Sequence, residues 1–144
     1  MKTRRRASTT GRNTGEAERL YRLARLIRRV EEVLAAEYHP ADQMRCPMHF
    51  CTGQEAMPAA LAQLLRPEDH LVSHYRSHGY YLAKGAPLDA MVAEFYGKAT
   101  GSNSGIAGSM ELGSHEHNFY SGAIVAGPIG LRSEERRVGK ECRL

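Results

Sequence analysis

Apolar side chains recur at three- and four-residue steps along residues 16–38: Leu20, Leu23, Ile27, Val30 and Leu34, with arginines and glutamates between them. That period gathers the apolar set on one face of an α-helix. The arginines form its solvated face rather than a binding stripe. The helix is expected to end near His39, because a proline disfavours helical geometry at the residue before it and Pro40 comes next. Residues 39–53 then read as a loop, broken a second time at Pro47. A second helix is expected over 53–65, where small residues suit close packing. Residues 66–70 form a turn, and "HLVSHY" (70–75) a short extended stretch. Residues 87–98 predict a third helix, with Leu88, Val92 and Phe95 on one face and Gly97 closing it. A Gly/Ser-rich loop follows over 101–122, and loops of that length in a compact domain are functional or disordered. "AIVAGPIGL" (123–131) begins like a buried element and is cut off. There is no internal repeat.

The formal net charge of +4 is unevenly placed. Residues 1–12 hold five Lys/Arg and no acid, residues 132–144 hold five basic and three acidic groups, and the body between them is mildly acidic at −3. Nucleic-acid binding needs a basic face on the folded part, and the body offers none. Residues 1–14 read as a disordered basic leader. An Arg-rich, acid-poor start also suits a mitochondrial transit peptide, and a bacterial protein with a basic start fits equally. Residues 132–142 closely resemble the translation of a sequencing-library adapter. The tail 132–144 is therefore set apart as non-native, with the natural chain diverging near Leu131.

With 144 residues, 42% hydrophobic and 25% charged, the chain can build one globular domain with a real core. No apolar run approaches the roughly 20 residues of a membrane helix. Cys46, Cys51 and Cys142 are odd in number and lack Cys-x-x-Cys spacing, which speaks for a reducing compartment and buried free thiols.

The densest chemistry lies in "HYRSHG" (74–79). His70, His74 and His78 are four apart, a metal-binding spacing on a helix. A turn leading into a strand at 69–73 would split them, and no His-Glu-x-x-His pattern is present. Cys51 lies two residues from His49, but no third group orients the pair as a nucleophile needs. An anion suits the cluster better. Arg76 offers a rigid fork of donors and Tyr75 a hydroxyl. Gly79 and "GSNSGIAGS" would permit close backbone approach to a ligand.

Four stretches in order, "HFCTGQEA" (49–56), "SHYRSHGYYLAKG" (73–85), "AEFYGKATGSNSGIAGSMEL" (93–112) and "NFYSGAIVAGPIGL" (118–131), resemble the alpha subunit of thiamine-diphosphate-dependent 2-oxo acid dehydrogenases. The superfamily covers pyruvate, branched-chain and acetoin dehydrogenases, and the resemblance spans residues 18–131. It implies an α/β fold, with N-terminal helices leading into the first strands of a parallel, thiamine-diphosphate-binding sheet that is truncated here. It implies His49 at the reacting centre and Tyr75 and Arg76 on the cofactor diphosphate. The backbone of Ala123, Ile124 and Val125 would hold the aminopyrimidine ring. Decarboxylation of a 2-oxo acid and transfer of its acyl group to a lipoyl-bearing acyltransferase follow from the same resemblance, with acetoin cleavage as the alternative. So does an α2β2 assembly with a beta subunit. The family's Gly-Asp-Gly…Asn magnesium segment is absent and belongs beyond Leu131, so no metal ligands are expected in this chain. Glu111 stands where the family carries a histidine, and Ala123 where it carries a glycine. A bacterial cytoplasmic location is expected, with the mitochondrial matrix as the alternative. A non-catalytic helical module or a small metal-binding protein remains the reading outside this family.

Overall fold

The amphipathic stripe folds into α1 (Asn13–Ala41). Ile27, Val30 and Leu34 are buried, and Leu20 at the start of the stripe stays at the surface. The helix does not stop before Pro40 but includes it. Proline removes one donor, that to the Ala36 carbonyl, and Ala36 is exposed, so water can take its place. This computed structural model describes residues 13–41 and 43–122. Most of the expected leader (1–12), the apolar stretch carrying Ala123, Ile124 and Val125, and the tail with Cys142 lie outside the described residues.

The second helix is shorter than its pattern suggested. α2 covers Ala56–Leu61, and its last turns loosen through Leu65. Gly53, at φ +91°, and a turn closed by the Gln54 N–H on the Cys51 carbonyl occupy the expected first turn. β1 (Leu71–Ser73) follows, then α3 (His78–Ala83), a helix that the pattern did not suggest. α3 buries His78, Gly79, Tyr81 and Leu82. Gly79 serves packing rather than a ligand: a Cβ there would sit 2.9 Å from Pro58 Cγ and 3.4 Å from both Cys51 Sγ and Ile27 Cγ2. α3 thus lies with its backbone against α1 and α2.

α4 (Leu88–Phe95) buries Met91, Glu94 and Phe95. Leu88, Val92 and Phe95 share a face, but the core covers only its later part: Phe95 is buried, Val92 packs against the core and Leu88 in the first turn is exposed. Within the glycine-rich stretch lie β2 (Gly113–Ser114), a 3₁₀ turn at His115–His117, and β3 (Phe119–Ser121). The sheet order is β1-β3-β2. β1 and β3 run parallel, with Leu71 opposite Phe119 and Ser73 opposite Ser121, and β2 pairs antiparallel with β3. Helices packed on a sheet with a parallel pair make the α/β fold that was expected. The core joins Ile27, Val30 and Leu34 of α1 to Tyr81, Leu82, Met91, Phe95, Leu112 and Phe119.

Residues 101–108 have no regular pairing, yet their backbone is not left without partners. The buried Glu94 carboxylate accepts the N–H groups of Asn103, Gly105, Ala107 and Gly108 at 2.7–3.0 Å. The glycines make this wrap possible. A Cβ on Gly105 would meet Gly97 and Lys98 backbone atoms at 2.5–2.7 Å. The anion that this loop cradles is therefore the chain's own. Burial opposes ionisation of Glu94, but the four backbone donors outweigh it and hold the carboxyl below its ordinary 4.5.

A depressed pKa stabilises the fold above the ordinary value, and the contribution fades as pH falls through the folded value. Glu94→Gln should therefore cost about 1–3 kcal/mol at pH 7, because an amide cannot accept four donors. Paired melting curves should show that difference shrinking once pH drops below 4.5. An equal cost at pH 7 and pH 3 would contradict it.

Candidate functional site

In open α/β sheets, ligands bind beyond the carboxyl ends of parallel strands. β1 ends at Ser73, and the chain passes directly into His74, Tyr75 and Arg76. Arg76 reaches back across the site, and its Nη1 donates to the Phe50 carbonyl at 2.5 Å. Its guanidinium carbon lies 5.5 Å from the Tyr75 ring centroid. His49 meets the same ring edge-on, centroids 5.3 Å apart. His49, Tyr75 and Arg76, singled out from separate stretches of sequence, thus form one half-buried patch. Ala123, Ile124 and Val125 lie outside the described residues, though β3 leads toward them from beside Ser73.

Pro47 O can only accept, so His49 carries a proton on Nδ1 in their 3.1 Å hydrogen bond. His49 Nε2 makes no hydrogen bond among the described residues. The hydroxyls of Ser73 and Ser77 are buried with no hydrogen-bond partner. Ser77 is 0% and Ser73 8% exposed, so both hydroxyls lie in the interior.

Behind the patch lies a cluster that sequence reading missed. His78 Nδ1 is 2.7 Å from Glu31 Oε1, and its Nε2 is 2.7 Å from Ser109 Oγ. Glu31 Oε2 also accepts the Cys51 N–H at 2.5 Å, and Ser109 Oγ accepts the His49 N–H at 3.0 Å. One arrangement gives every proton an acceptor. Nδ1–H donates to the carboxylate, and the Ser109 hydroxyl donates to Nε2. The composition is that of a serine–histidine–carboxylate triad, but the site cannot act as one. His78 and Glu31 are 0% exposed and Ser109 1%, so no substrate reaches the hydroxyl. The signal in the sequence was Glu31 itself, an acid four residues after Ile27 and three before Leu34 on the buried stripe.

The remaining candidates separate. His78 is buried, while His70 is exposed and stacks on Tyr120 and His74 is exposed beside Tyr75 and Tyr80. Among the described residues no group of three or more His, Cys, Asp or Glu could hold a metal ion. Glu111 is exposed, and its carbonyl accepts the Asn103 amide. Glu55 of the "GQEA" stretch binds Arg28 through both oxygens, at 2.6 and 3.0 Å, and accepts the Gly53 N–H. The Arg28 hydrogen bond chiefly holds its carboxyl down, to about 2. None of the described helices is long and apolar enough to cross a membrane.

Cys46 and Cys51 are both free, Cys51 fully buried and Cys46 half-buried. Burial, then the Glu31 charge, pushes the Cys51 thiol up to about 12. At pH 8 the thiolate fraction is on the order of 1 in 10⁴, so Cys51 should resist iodoacetamide until the chain unfolds. Peptide mass mapping before and after denaturant checks this, and rapid labelling in the native state would contradict the burial.

Residues 22–132 match the dehydrogenase E1 component family, and the chain belongs to it. It is 37% identical over 102 residues to the rice chloroplastic pyruvate dehydrogenase E1 component subunit alpha-3, covering 71% of this chain and 24% of that protein. To the alpha subunit of Porphyra purpurea it is 38% identical over 108 residues, covering 74% and 31%. To the mitochondrial somatic form of the pig it is 34% identical over 113 residues, covering 76% and 28%. The chain thus spans about a quarter to a third of the length of these relatives.

Proposed function

We propose that this chain is part of the alpha subunit of a thiamine-diphosphate-dependent dehydrogenase that decarboxylates pyruvate and hands the acyl group to a lipoyl-bearing acyltransferase. It would work with a beta subunit in an α2β2 assembly. The observation that carries the reading is the His49–Tyr75–Arg76 patch at the carboxyl end of the parallel pair, in a chain of the dehydrogenase E1 family. Pyruvate is preferred over acetoin or a branched-chain oxo acid because the relatives are named for it. The bacterial cytoplasm is the proposed location, with the mitochondrial matrix as the alternative.

The donor set suits a diphosphate. Arg76 commits one N–H to Phe50 O, and its remaining donors and the Tyr75 hydroxyl form an anion-binding pair. Bound thiamine diphosphate supplies an electron sink that lets a 2-oxo acid lose carbon dioxide. Around it, Arg76 and Tyr75 would fix the diphosphate, and the backbone of Ala123, Ile124 and Val125 the aminopyrimidine ring. His49, anchored through Nδ1, would present Nε2 to orient the substrate or move a proton at the reacting centre. Magnesium, which would join the diphosphate to the protein, has its ligands proposed beyond Leu131.

Isothermal titration of thiamine diphosphate with magnesium into the full-length subunit, assembled with its beta partner, should give saturable binding and carbon dioxide release from pyruvate. Absence of binding would overturn the reading. Arg76→Ala should weaken cofactor binding by on the order of 10- to 100-fold through loss of charge-assisted hydrogen bonds. His49→Ala should leave melting and cofactor affinity close to wild type while lowering turnover by on the order of 10²-fold. Unchanged turnover would remove His49 from the reacting centre.

A further inference from the structure

We propose, resting on the reading above for the chemistry at His49, that His78 is a positioning residue that holds the segment carrying His49 in its working geometry. Residues 49–51 belong to no helix or strand, so no backbone ladder sets their conformation. Three consecutive backbone groups are held by side chains instead. The His49 N–H donates to Ser109 Oγ, the Phe50 carbonyl accepts from Arg76, and the Cys51 N–H donates to Glu31. These pegs come from three places: the glycine-rich loop, the turn after β1, and α1.

His78 joins the outer two. Its ring bonds Glu31 through one nitrogen and Ser109 through the other. An imidazole is a rigid spacer, so the ring fixes the separation of the pegs that hold His49 N and Cys51 N. The ring itself has little freedom. It packs against Phe95 at 4.9 Å between centroids and edge-on to Phe50 at 6.4 Å. A shift of His78 would reach the His49 ring, and also the Phe50 carbonyl on which Arg76 rests. His78 therefore acts on the patch without touching it.

The test uses the assembled full-length enzyme with His78→Leu and His78→Gln. Leucine removes both hydrogen bonds, whereas the glutamine amide keeps a donor and an acceptor on one planar group. In His78→Leu, hydrogen exchange at the His49 and Cys51 amides should accelerate by about tenfold or more, while amides in α4 keep their protection. Turnover should fall by on the order of 10²-fold, the cost expected of a misplaced reacting group, with KM for pyruvate little changed. His78→Gln should restore most of both. Should His78→Leu fail to assemble, Ser109→Ala should speed exchange at the His49 amide and lower turnover likewise while the Cys51 amide keeps its protection, since it releases His49 N–H and leaves Glu31 bonded to His78 and Cys51. Wild-type exchange and turnover in His78→Leu would overturn the proposal. So would parallel loss of turnover and melting temperature in His78→Leu, His78→Gln and Ser109→Ala, which marks a purely structural role. A wild-type enzyme without thiamine-diphosphate-dependent decarboxylation would overturn the functional reading instead, and exchange at His49 and Cys51 would still decide whether His78 holds the segment.

Discussion

The hydrogen-bonded chain from Glu31 through His78 to Ser109 ties together three parts of the molecule that the apolar core also gathers. α1 contributes the carboxylate, α3 the imidazole and the glycine-rich loop the hydroxyl. A carboxylate removed from water is costly unless its oxygens are bonded, and Glu31 is 0% exposed. It is satisfied only where α1, α3 and the Cys51 amide stand together. The three-dimensional arrangement of the candidate site depends on that requirement, because a displaced α3 or loop leaves a buried polar group without its partner.

Glu94 repeats the device in a different form. There a buried carboxylate organises a loop by collecting four of its backbone N–H groups, and the glycines of 101–108 are what allow the loop to close around it. The two acids divide the work. Glu31 orders side chains behind the patch, and Glu94 orders the backbone of the loop that delivers Ser109. Apolar packing of Ile27, Phe95, Leu112 and Phe119 supplies the burial that makes both acids demanding of their partners. The Arg28–Glu55 pair anchors the turn at 51–54, through the Gly53 N–H.

The patch of His49, Tyr75 and Arg76 has a mixed character for this reason. Its residues sit on loops, as functional residues commonly do, but the loop that carries His49 is pegged by Glu31 from the buried face of α1. Tyr75 and Arg76 follow β1 directly, so strand pairing with β3 aims them. His49 has no such strand behind it and relies on Ser109 and Pro47.

Beyond His49, which came only from the family resemblance, the sequence by itself determined the long amphipathic helix, the existence of the second and fourth helices, the short strand at 71–73, and Tyr75 and Arg76 as candidate anion-binding residues. Each is carried by local information, either a 3.6-residue period or a compact run of unusual side chains. It did not reveal α3, whose six residues are too few for a period, nor the short strands inside the glycine-rich loop, which exist only through pairing, β3 with β1 and β2 with β3. Glycines read as room for a ligand instead make room for the chain's own Pro58, Glu94 and Lys98. Glu31, His78 and Ser109 are separated by 47 and 31 positions. Only the tertiary structure decided that they form one hydrogen-bonded unit, because the energy of that unit depends on burial and mutual distance, and neither has a local signature in the chain.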